Sequence, residues 1–430
     1  MTRRDFSFGL TAAFQAAPPS LRVAAFRADV TPAPGEPLIW VDPTLEVLDP
    51  LSAKGLVFDA PGGRAVLCAL DWCGFGGFVH RIFVDALARA VKTSPTHVAV
   101  VAVHQHTAPY AEGGGYELLA RLPKPPLMLS RPFLNSITTR LAQAAAQAVD
   151  QLTPCDSIGF GVAHPERIAS ARRIFVDGKL ITRFSSGAKD PKLAALPEGD
   201  IDTRLRTVTF FQDKRPLARL HHYACHPQTF CCNGQVSSDF VGAAREAVEK
   251  DEGVPQIYIT GCAGDVTAGK YNDGSESARH ALAQRLEAGL RASIASTATN
   301  PLRHFHWRSA GVQLPGPAAP HPAWPPAQDP GPTQLYRQAI RAAFPRRRDP
   351  LAFARLALGD LQLVILPGEP MLHFQRLAPD ALIAGYSDIS PGYICPDSAF
   401  PEGGYEPSAA NAGPGAEAIV RRTISALLAP

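Results

Sequence analysis

The sequence contains no apolar run approaching the roughly 20 residues that a helix needs to span a bilayer, so no transmembrane helix organises the chain. Its eight cysteines include no C-x-x-C pair, which argues against a thiolate zinc knuckle. Basic tracts interleaved with aromatics are missing as well. Lysines and arginines are scattered apart from Arg346-Arg347-Arg348, and the formal net charge is only +3, so nucleic-acid binding has little support. No internal repeat is legible. With 430 residues, 46% hydrophobic and 19% charged, the chain is long enough for one large domain or two or three ordinary ones with a sizeable core. Such a core needs no disulfide staples, so most cysteines read as small buried apolar residues. The adjacent pair Cys231-Cys232 takes no assignment from sequence.

The N-terminus, "MTRRDFSFGLTAAFQAAPPS", sets Arg3-Arg4 before an uncharged, weakly apolar stretch from Phe6 to Ala17 and then prolines. It is similar to a twin-arginine export signal over residues 1–20 and implies a periplasmic or secreted protein. Two arginines at a frayed end are the plainer alternative. From residue 21 to 430 we expect one catalytic domain.

Buried strands are expected in "GGRAVLCALDW" (62–72) and "THVAVVAVHQH" (96–106), with a helical pattern over 80–92 between them. Further strands are expected in 206–212, 215–227, 254–266 and 361–370, and amphipathic helices over 131–152, 238–251 and 275–296. This order predicts an α/β fold, a mixed sheet core flanked by helices in a layered sandwich. The interval 314–333 is too rich in proline for regular structure and reads as a long surface loop.

Four of these apolar segments end in polar residues where Gly or Pro forces a turn. One ends in His104-Gln105-His106, another in His226-Pro227, a third in Gly264-Asp265 followed by Thr267, and the last in Gly368-Glu369. Strand alternation should carry His104 and His106 out side by side. Imidazoles and carboxylates at strand ends suit a borderline divalent metal, and the pattern predicts a shared sheet edge.

Taken in order, "FRADVTPAPG" (26–35), "HQHTAP" (104–109), "HPQT" (226–229), "SSDFVG" (237–242), "GCAGDVTAG" (261–269), "LPGEP" (366–370) and "GYICPDSAFPEGGYE" (392–406) resemble the catalytic domain of the neutral, non-lysosomal ceramidases. The resemblance spans about residues 22–428. It implies a Zn2+ ion held by His104, His226, Glu369 and Tyr393, and hydrolysis of an N-acyl amide. It places His106 against the substrate, as proton donor or carbonyl partner, and Arg172 of "SARRIF" near it. Where the family has a serine, often given as the nucleophile, this chain has Thr267. Thr267 then serves either as nucleophile or as a residue that positions water, and the stiffer β-branched side chain inclines the reading to water. The chain also has no room for the extra C-terminal β-domain of full-size ceramidases, which favours another lipid amide, or a related ester, over ceramide itself. The expected partner is a small-molecule or lipid amide, with peripheral membrane contact left open. The rival reading is a non-catalytic lipid- or glycan-binding relative, and a third is an esterase or phosphate-ester hydrolase on the same frame.

Other polar residues have ordinary structural readings. His221 and His222 fit satisfied core positions. Asp71, Asp239 and Asp265 fit either caps or supports of the metal site. Tyr405-Glu406 reads as support for the site.

Overall fold

A computed structural model describes residues 21–429 except 319–323 and 329. The export-signal reading of residues 1–20 lies outside the described residues, as does part of the Pro-rich interval. Among the described residues no helix is long and apolar enough to cross a membrane.

The fold is α/β, with three main sheets that share one plan. In the first, Arg22–Asp29, Ser52–Ala60 and Gly63–Leu70 run antiparallel in succession; the helix Gly77–Val91 then crosses to Val98–Ala102, which lies parallel to Gly63–Leu70. In the second, Ser157–Ala163, Leu205–Gln212 and Arg215–Tyr223 make the meander, and the helix Asp239–Glu252 leads to the parallel strand Gln256–Thr260. In the third, Phe305–Val312, Leu351–Leu358 and Leu361–Ile365 are followed by a single helical turn, Leu372–Gln375, and the parallel strand Leu382–Ala384. The repeat absent from the sequence is therefore present in the topology. It leaves no residue pattern because what recurs is the path of the chain, and the crossover shrinks from 15 helical residues to 4.

The continuous apolar runs are explained by burial on both faces of the strands. Along Gly63–Leu70, Ala65, Leu67 and Ala69 enter the core shared by the three sheets. Val66, Cys68 and Leu70 alternate to the opposite side, under the helices Gly77–Val91 and Arg131–Val149. Each large side chain hidden this way contributes about 1.5–3 kcal/mol before entropy is counted.

The last strands of the three units meet at the centre. Thr260 Oγ1 donates to Val103 O at 2.7 Å, Gly385 N to Thr260 O at 3.2 Å, and Ala102 N to Tyr386 O at 2.9 Å. The turns leaving the strands thus converge on one place, and they are the turns that carry the polar residues singled out in the sequence.

Candidate metal centre

Each unit supplies one member of a buried triad. His104 follows the last strand of the first unit, His226 the third strand of the second, and Glu369 the third strand of the third. His104 Nε2 stands 3.1 Å from His226 Nε2, and Glu369 Oε2 is 3.2 Å from the first and 3.4 Å from the second.

The backbone fixes these positions. The strand before His104 stops at Ala102, and His104 itself takes φ 81°, so a left-handed turn and not strand alternation brings its ring edge-on to His106. Tyr386, also left-handed at φ 68°, stacks on His104 with centroids 4.4 Å apart. Gly368 has φ 69°, and a Cβ on Gly264 would sit 2.7 Å from Glu369 O, so both glycines are required where two units press together.

Both imidazoles have their outer nitrogen occupied. His104 Nδ1 lies 2.5 Å from Cys73 O, and His226 Nδ1 lies 2.6 Å from Ala263 O. A carbonyl can only accept, so each Nδ1 carries a proton, and in the neutral tautomer that this selects, Nε2 turns a lone pair inward. Burial pushes the His226 imidazole down to about 4. Burial alone would raise the Glu369 carboxyl; positive charge beside it, on an imidazole or on a cation held in its place, draws it well below the usual carboxylate range. Three acceptors therefore face one another with no proton between them, and Glu369 Oε2, though buried, has no hydrogen-bond partner.

A divalent cation resolves that conflict. Ligands bonded at about 2.0–2.1 Å to tetrahedral zinc stand roughly 3.3–3.4 Å apart, the size of this triangle. The carbonyl-anchored imidazoles are the arrangement that orients histidine ligands. A second grouping, Cys73 with His104 and His106, is less suited. Its thiol is pushed up by burial and stays protonated, and it approaches the His104 nitrogen already engaged by a carbonyl.

A cavity of about 230 Å³ opens onto the triad, lined there by His104, His106, Glu369 and Tyr393. His106 Nε2 is 3.3 Å from His104 Nε2, and its Nδ1 is buried without a partner. Burial, then the neighbouring His104 and His226, hold its imidazole well below the ordinary value, so it is neutral. Tyr393 pairs in register with Glu369, and its hydroxyl accepts from Arg172 at 2.9 Å. Arg172 is buried between the rings of Tyr393 and Tyr405, 5.7 and 5.6 Å from their centroids, and lies 3.5 Å from Glu406. Thr267 is fully buried beside His226, with which it shares a bridge. Its hydroxyl accepts from Gly269 N at 3.1 Å and is not part of the cavity wall.

The supporting residues divide. His221 meets Thr207 and Gln256, His222 meets Ile383 O, and both are satisfied in the core. Asp71 caps no helix: it takes a two-pronged bond from buried Arg245 at 2.9 and 2.8 Å and holds Gln105, which sits between the two site histidines. Asp239 accepts from Thr229 N and Oγ1, pinning the turn that follows His226. Asp265 accepts from Leu372 N and so caps the single turn of the third unit.

Compared with solved structures, 94% of this chain superposes on a neutral ceramidase from Pseudomonas aeruginosa, with a TM-score of 0.70 and 16% identity over 73% of that chain. The fold is that of a neutral ceramidase. A second structure, a ceramidase complexed with C2, gives a TM-score of 0.71 at 16% identity over 94% of this chain and 74% of that one. No family model and no curated protein sequence matches the chain. The fold expected from the seven motifs is thus the fold observed.

One wall of the cavity was not anticipated. Helix Pro332–Ala343 begins inside the interval read as a loop, and its residues Gln334, Arg337, Gln338 and Arg341 line the same cavity as His104 and Glu369. The signal was present: these four sit at i, i+3, i+4 and i+7, with Tyr336 and Ala339 buried on the other side.

Proposed function

We propose that this protein is a zinc-dependent hydrolase that cleaves an N-acyl amide bond, acting outside the cytoplasm as the N-terminal signal reading implies. The observation that carries the proposal is the triangle of inward lone pairs from His104, His226 and Glu369, open on one side to a cavity that His106 also lines. Tyr393 is proposed as the fourth ligand.

Zinc bound there supplies Lewis acidity, polarising an acyl carbonyl and acidifying a water molecule. Neutral His106 takes a proton from the attacking water and returns it to the leaving nitrogen, which an amide needs before it departs. Burial holds the Tyr393 hydroxyl well above its ordinary value, and Arg172, aimed at it and backed by Glu406, works against that and fixes its ring. The position of Thr267, with its hydroxyl engaged by Gly269 N, supports the reading in which water is the nucleophile.

The test is release of fatty acid from a panel of N-acyl amides by the full chain, before and after chelation and after zinc is restored. Hydrolysis that vanishes on chelation and returns with zinc supports the proposal. Metal binding without hydrolysis of any amide or ester favours the binding protein.

A further inference from the structure

The charges of the cavity do not balance for a neutral substrate. Glu369 is its lining carboxylate and is committed to the triad. Arg172, behind Tyr393, is matched by Glu406. However, Arg337 and Arg341 also reach the cavity, from one stripe of the helix Pro332–Ala343, and among the described residues neither forms an ion pair. Arg337 lies over the Trp40 ring, 3.8 Å from its centroid. Arg341 spends one nitrogen on Ser408 O at 2.9 Å, and its Nε is buried without a partner. The side-chain oxygen of Gln338, between them on the stripe, is buried and unpartnered too.

The helix is held rigidly. Its buried Tyr336 donates to Tyr110 O at 3.1 Å and accepts from Glu112 N at 3.0 Å, and Thr333 Oγ1 donates to Trp40 O at 2.9 Å. The helix that carries both guanidinium groups is therefore fixed beside a cavity that His104 and Glu369 of the triad also line. A neutral lipid amide would leave both without an anionic partner. A planar carboxylate matches guanidinium geometry and the excess charge together.

We infer that the substrate carries a carboxylate on one arm, seated by Arg337 and Arg341 while the scissile acyl carbonyl lies at the triad, so that the substrate class is an N-acyl amino acid. The inference rests on the proposed amide hydrolysis for its chemistry, but the anion site stands on its own geometry.

The experiment compares N-octanoylglycine with its neutral counterpart N-octanoylglycinamide, using the zinc-loaded full chain and the double variant Arg337→Gln/Arg341→Gln. Octanoate release and calorimetric binding are both read. The expected result is a preference for the carboxylate of at least tenfold, carried by KM, that falls to near unity in the double variant with kcat within about threefold of wild type. Turnover of both compounds without preference overturns the inference and leaves the hydrolase standing. So does a preference that survives the double variant, since the carboxylate would then be bound by the metal. If neither compound is cleaved, tighter binding of N-octanoylglycine that the double variant abolishes upholds the anion site while the hydrolase reading fails, and equal binding overturns the site.

Discussion

His104 and His226 turn Nε2 toward Nε2 at 3.1 Å although 122 residues separate them in the chain, and each is held there by a carbonyl on its other nitrogen. Two neutral imidazoles cannot hydrogen-bond in that tautomer, so their closeness is unfavourable until a cation lies between them and Glu369. The fold holds the site ready through backbone contacts that do not depend on the metal. Variants at the triad should therefore lose metal before they lose structure.

Replacing His106 by Gln should leave metal content unchanged, because the triad is complete without it. The catalysed rate should fall by about 10²–10⁴-fold, the usual contribution of a positioned acid–base group. Steady-state kinetics on any hydrolysed N-acyl amide, together with metal analysis of the same sample, check this. A loss of metal would make His106 a ligand.

Thr267→Val removes the hydroxyl and keeps the shape. If water is the nucleophile, activity should remain within about tenfold of wild type, with a stability loss of about 1 kcal/mol from the unpaired Gly269 N–H. A fall beyond about 10³-fold in kcat, with the protein still folded, would make Thr267 the nucleophile.

The buried pair of Arg245 and Asp71 supports the site through Gln105. Arg245→Met leaves the Asp71 charge buried without its main partner and should destabilise the protein by about 3–5 kcal/mol in denaturant unfolding. A change below about 1 kcal/mol would contradict the role given to the pair.

Asp265 provides a pH test. Burial, opposed by the hydrogen bond from Leu372 N, pushes its carboxyl up to about 6 from an ordinary 3.8. Between about pH 4 and 6 the folded chain keeps a proton that the unfolded chain has released, so this group's contribution to stability falls as pH rises through that window. Asp265→Asn keeps an acceptor for Leu372 N and removes the titration. The difference in Tm between variant and wild type should shift in the variant's favour from pH 4 to pH 6 and then level off. A constant difference would show that Asp265 titrates normally.

What was legible in the sequence was local chemistry at strand ends. His104, His226 and Glu369 stand out because apolar strands stop at Gly or Pro turns and expose a ligand-type side chain there. Tyr393 and Arg172 were reached by resemblance alone, since a tyrosine after a glycine looks like any core aromatic. Three things were hidden. The threefold recurrence of the fold is a property of strand order and leaves no shared residues. The left-handed turn at His104 depends on tertiary packing against Tyr386. The helix carrying Arg337 and Arg341 was masked by the prolines before it, although its spacing was that of an amphipathic helix.

The central claim is that three distant segments make one zinc site, and metal content per chain tests it most directly. Elemental analysis should find about one zinc per wild-type chain and almost none in His104→Ala, His226→Ala and Glu369→Gln, each with a wild-type circular dichroism spectrum. Wild-type protein without zinc after zinc reconstitution, or a full complement in any of the three variants, would contradict the account.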